Sequence, residues 1–155
     1  MAAKQTADIL DDTDVVVIES TTIPEGVSAL MSFNSSRSAE ENKECMNDSM
    51  RAVTTLSLTR AVRDADIDGL AVKRKQYIGL VGGQLKYACD SVSDCIREMI
   101  SAFTDAELCT IYFGEDAKNS DAEAVTKLIS DTLPDCEVVS IRGNQPVYPY
   151  IISVE

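Results

Sequence analysis

The 155 residues carry 26 acidic side chains against 14 basic ones, a formal charge of −12, and no histidine at all. Such a field repels phosphate backbones and argues against nucleic-acid partners. The missing imidazole excludes Ser-His-Asp and Cys-His catalysis within this chain. With 45% hydrophobic and 26% charged residues, the composition is that of one folded domain, or two very small ones, with enough apolar material for a core.

No apolar run approaches the roughly 18 residues that span a bilayer, so no transmembrane segment is expected. The opening residues lack the basic and apolar regions of a secretory signal. Five cysteines (Cys45, Cys89, Cys95, Cys109, Cys136) form an odd set without CxxC spacing. They are expected to be reduced core residues of a cytoplasmic protein, not a disulfide framework or a zinc site.

Met1 to Leu10 reads as a helix and Asp14 to Glu19 as a short buried strand, so the chain is expected to begin inside an alternating helix-strand unit. That start leaves a sheet edge uncovered and makes a homodimer a fair expectation. Pro24 and Gly26 punctuate the exit from the strand, and Val27, Leu30 and Met31 offer a short apolar helix face. After the polar break at Asn34 to Arg37, Ser38 and Glu41 form an S-x-x-E capping box that opens a helix to about Ala52.

Thr55 to Arg63 alternates, with Leu56, Leu58 and Val62 on one side, as in a strand with one wet face. Arg60 falls on its apolar side and must therefore be paired or near a sheet edge. Between Gly69 and Tyr87 lie short β-pieces, with Gly82-Gly83 as a two-residue hairpin signal. The next helix is the clearest: Val92, Cys95, Ile96, Met99, Ile100 and Phe103 share one face behind a Ser91 N-cap. Leu108 to Phe113 is a continuous apolar run, expected to be a strand covered on both faces.

A helix is expected from Ser120 to Pro134, then strands at Cys136 to Ile141 and Val147 to Glu155. Pro149 suggests that the last strand lies near an edge. The expected class is α/β (mixed α+β): a sheet with flanking helices and a β-rich insertion at residues 54–87. Residues 1–36 read as the end of a preceding α/β unit, and residues 37–155 as the domain proper.

Several strings, in consistent order along the whole chain, carry a family resemblance. They are Thr22-Ile23-Pro24-Glu25-Gly26, Ala61-Val62-Arg63-Asp64 with Ile67-Asp68-Gly69, Tyr112-Phe113-Gly114-Glu115-Asp116, and the ending from Gly143 to Glu155. Together they resemble the C-terminal region of the YloV family, the dihydroxyacetone-kinase-like kinase subunit of bacterial fatty acid kinase. Asn144 and Lys75 stand where that family commonly has turn glycines, and Arg60 where it usually has tyrosine. The resemblance implies an upstream kinase domain in the same polypeptide that uses ATP and magnesium. That domain phosphorylates a fatty acid held by a separate DegV-like protein, in phospholipid metabolism. It also implies that this C-terminal region docks that partner, has no cofactor of its own, and is not catalytic alone.

Candidate partner- or ligand-binding residues are Arg63, Asp64, Glu115, Asp116, Gln145, Tyr148 and Tyr150. Glu115 and Asp116 follow a buried strand, where ligand loops of α/β folds lie; a solvated helix-leading loop explains them equally. Arg63-Asp64 is either an anion contact or a weak local ion pair. Tyr148 and Tyr150 suit an interface or a core-facing strand. The rival reading is a small phosphorylated-ligand or phosphatase-like domain, with Glu115, Asp116, Arg63 and Gln145 around one cleft. Asp64, Asp66 and Asp68 lack the glutamate that would complete a calcium loop, because that position is Lys75.

Overall fold

The computed structural model describes residues 2–9 and 15–155. The chain divides into two compact units, Met1–Val53 and Thr54–Glu155. The division lies beyond the expected 36/37 boundary, because the helix opened by Ser38 packs on the helix before it.

The first unit holds α1 (Ala2–Ile9), α2 (Ile23–Ser32) and α3 (Ala39–Ala52). No regular strand forms over Val15–Ser20; Asp14 lies outside the described residues. An extended segment becomes a strand only by pairing, and Val15 and Val16 remain exposed. The helix expected after Gly26 begins earlier, at Ile23. Thr22 caps it through the Glu25 N–H, the Glu25 carboxylate accepts from the Thr22 N–H, and Pro24 sits in the first turn. The Ser38–Glu41 capping box opens α3 as expected.

Asn42, 5% exposed, fixes the α2–α3 connection. Its Oδ1 accepts from the Asn34 N–H at 2.8 Å, and its Nδ2 donates to the carbonyls of Asn34, Arg37 and Ser38. A buried amide so fully partnered stabilises the loop rather than straining it.

The second unit is a mixed α/β fold: a six-stranded sheet with two helices, α4 (Val92–Ile100) and α5 (Asn119–Thr132). The strands are β1 (Thr54–Arg60), β4 (Tyr77–Val81), β5 (Gln84–Cys89), β6 (Leu108–Phe113), β7 (Glu137–Arg142) and β8 (Tyr150–Val154), in the order β5-β4-β1-β8-β6-β7. Only β6–β7 is parallel. A separate hairpin pairs β2 (Ala65–Ile67) with β3 (Leu70–Val72).

The segment 54–87 is therefore not an insertion. β1 lies between β4 and β8, and its Leu56 and Leu58 are completely buried in the core. Gly82 and Gly83 turn β4 into β5 with φ of 56° and 80°, as a two-residue hairpin requires. α4 buries Cys95, Ile96, Met99 and Ile100 completely, each large side chain contributing roughly 1.5–3 kcal/mol. β6 is covered less than its apolar run suggests: Cys109, Ile111 and Phe113 are buried, while Leu108, Thr110 and Tyr112 are half-exposed. Neighbouring residues of a strand face opposite sides, and only one of those sides joins the helix-covered core.

α5 starts at Asn119, one residue before the expected Ser120. Lys118 is its N-cap, and its N–H donates to the Asp121 carboxylate. β8 is a central strand, not an edge strand. Pro149 stands just before it, where the missing N–H removes no ladder bond. All five cysteines are free thiols, three of them buried.

Candidate functional site

The sheet register decides which side chains meet at one end of the second unit. Arg60 ends β1 opposite Tyr77 of β4, while Leu58 and Phe113 both face Tyr150 of β8. Arg60 lies on the same face as Leu56 and Leu58, by strand alternation. Its guanidinium sits 5.5 Å from the centroid of the Tyr77 ring, and its Nε donates to the Lys75 carbonyl at 3.0 Å. These contacts explain a charge on the apolar side of a strand: the cation lies at the strand's end, stacked on an aromatic face.

Above these strand ends, the start of α4 and one side of α5 enclose a cleft of about 860 Å³. Val92, Val125, Leu128, Pro149 and Tyr150 supply apolar wall, and Asp116, Asp121, Asp131, Lys127 and Arg60 supply charge. Arg142 holds the α5 side in place. Its guanidinium lies 4.8 Å from the Phe113 ring centroid, and Nη2 donates to Asn119 Oδ1 at 2.7 Å. Val147, also in the cleft wall, has φ of 71°, an uncommon conformation for a β-branched residue. Its carbonyl accepts from Thr59 Oγ1 at 2.6 Å, which helps hold that backbone.

Of the seven residues singled out from the sequence, the cleft gathers two, Asp116 and Tyr150. Tyr150 is core, only 3% exposed, and burial followed by the nearby Asp121 charge pushes its phenol up to about 12. Gln145 is structural: Nε2 donates to the carbonyls of Tyr112 at 2.8 Å and Tyr148 at 3.1 Å. Tyr148 is half-buried before the start of β8. Glu115 is exposed, and its N–H donates to the Gln145 carbonyl.

Arg63 is exposed and, among the described residues, makes neither an ion pair nor a hydrogen bond with Asp64. Asp64 instead accepts from the Arg74 N–H at 2.6 Å. The quartet Glu115, Asp116, Arg63 and Gln145 thus does not line one cleft. Asn144 adopts the left-handed conformation expected of a glycine substitute, with φ of 53°, and Lys75 does likewise at 78°. Sequence reasoning flagged Arg60 but not Tyr77, Asp121, Lys127 or Asp131, which reach the cleft only through strand pairing and helix packing.

A second surface lies on α2. Ile23 (52% exposed), Val27, Leu30 (69%) and Met31 (82%), with Phe33 (53%) at the C-cap, leave its apolar side open. Those spacings place the helical residues close together on one side of the helix.

Comparison with solved structures defines the class of fold. A DegV family protein from Corynebacterium glutamicum superimposes with a TM-score of 0.71 at 16% identity, covering 99% of this chain and 68% of that one. A fatty acid binding DegV family protein from Streptococcus agalactiae does so with a TM-score of 0.51 at 12% identity, covering 84% of this chain and 54% of that one. The fold is DegV-like. The sequence model of the FakA-like C-terminal domain of fatty acid kinase matches residues 1–155, and the chain belongs to that family. An uncharacterized protein of Staphylococcus epidermidis is 35% identical over 157 residues, and the chain spans 28% of that relative's length. Among the described residues, no helix is long and apolar enough to cross a membrane.

Proposed function

We propose that this domain is a non-catalytic docking module that binds a DegV-like fatty-acid-binding protein and holds its lipid near a kinase domain elsewhere in the polypeptide. The observation that carries the reading is the open apolar side of α2, from Ile23 to Phe33, in a chain of the FakA-like C-terminal family. A cluster of this kind on a small unit is more characteristic of an interaction surface than of a solvated one. The charge of −12 suits a partner with a basic rim, which would speed encounter without dominating affinity.

In this reading ATP and magnesium belong to the upstream domain, and this chain contributes proximity. The setting is cytoplasmic. The phosphatase-like alternative has no support in the geometry, because its four residues are not gathered.

The test is calorimetric titration of the chain with the DegV-like protein of the same organism, loaded with fatty acid, at low and moderate salt. Saturable micromolar binding that weakens with salt is the expected result. Absence of binding by this chain, with the full-length parent binding normally, would place the dock upstream.

A further inference from the structure

Tyr150 is 3% exposed, and no hydrogen bond of its hydroxyl occurs among the described residues. The hydroxyl is not sealed in, since no buried side-chain polar atom of the described residues lacks a partner. It opens on the cleft that the ring lines, within electrostatic reach of Asp121 and Tyr77 on the same wall. A phenol so placed is a hydrogen-bonding group waiting for a guest.

The charges around it select the guest. Asp116, Asp121 and Asp131 face the cleft against Arg60 and Lys127, and none of the five is in an ion pair among the described residues. Arg60 is already engaged by the Tyr77 ring and the Lys75 carbonyl. The balance is one excess negative charge within a strongly acidic chain, so an entering anion meets repulsion and a cation attraction.

We infer that this cleft binds an ammonium group carried on an apolar stem. The ammonium donates to the Tyr150 oxygen and to the Asp121 side, and the stem lies against Val125 and Leu128 of α5. The ammonium comes from a free alkylamine or from a lysine side chain of a polypeptide segment; the chemistry recognised is the same. This site lies wholly in the second unit and does not depend on the α2 docking reading.

The experiment titrates the whole chain with n-octylammonium, octanoate and octanol at low salt, followed by amide NMR shifts. Octylammonium should bind saturably and shift residues of α5 and the start of β8. Octanoate and octanol should bind at least about tenfold more weakly. Asp131→Asn, an exposed change, should weaken the amine about threefold without moving the unfolding midpoint. Tyr150→Phe should weaken it by about threefold to tenfold. A short leucine-flanked lysine peptide separates the sources: tighter binding than octylammonium assigns a polypeptide side chain, weaker binding a free amine. Octanoate binding as well as the amine, no amine binding, or an amine indifferent to Asp131→Asn would each overturn the assignment.

Discussion

A Cβ placed on Gly79 would lie 2.7 Å from the Sδ of Met99, so β4 and α4 meet at a separation that only glycine allows without a shift. Cys95 Sγ stands 3.0 Å from the same point. The central helix is thereby seated directly on the sheet backbone, which brings its first residues, Val92 and Ser93, to the rim of the cleft.

Gly79→Ala should therefore destabilise the second unit by about 1–3 kcal/mol through overpacking. Urea denaturation measures this directly. Combining it with Met99→Ala should recover part of the loss that simple addition of the two single changes would give, because the intruding methyl gains room. Strict additivity would show that the contact is not the cause.

Gln145 donates to two main-chain carbonyls, and replacing it leaves both without that donor. Gln145→Ala should cost about 1–3 kcal/mol. Gln145→Glu should cost more near neutral pH, since a carboxylate has nothing to donate and faces two oxygens. Equal stability of the two variants in thermal unfolding would rule out this donor role.

On α2, Leu30→Asp and Met31→Asp alter side chains that are 69% and 82% exposed. Each should leave stability within about 0.5 kcal/mol, as surface changes do. Docking of the DegV-like partner should weaken by about tenfold or more if these are central contacts. Unchanged affinity would assign this face to other parts of the polypeptide.

Stability should decline in alkali. Burial, then the neighbouring Cys136, pushes the Cys109 thiol from 9.0 to about 12, and burial with the Asp121 charge pushes the Tyr150 phenol from 10.0 to about 12. Above pH 9 the unfolded chain loses these protons before the folded one does, so the unfolded state binds fewer protons and stability falls as pH rises. The contribution is complete below about pH 9 and is lost progressively towards pH 12. Urea midpoints at pH 8, 10 and 11 should step downward, with Tyr150→Phe reducing the slope above pH 10. A level series across that range would refute the linkage.

Local chemistry made much of this protein legible in advance. The Ser38–Glu41 box, the Ser91 cap, the Gly82-Gly83 hairpin and the apolar face of α4 all act within a few residues of themselves, so the sequence alone determines them. The same holds for the family: motifs spread along the whole chain carry it. What the sequence could not determine was assembled across long separations. Position in the sheet made β8 central despite Pro149, and the absence of a ladder partner left Val15–Ser20 extended without a strand. Arg60 was conspicuous as a charge on an apolar stripe, but its stacking on Tyr77 required the β1–β4 register, and the acids facing it required α5 to settle over β6 and β7. Backbone caps and turns depend on near neighbours; sheet order and a cleft depend on which distant surfaces bury one another, and only the tertiary structure decides that.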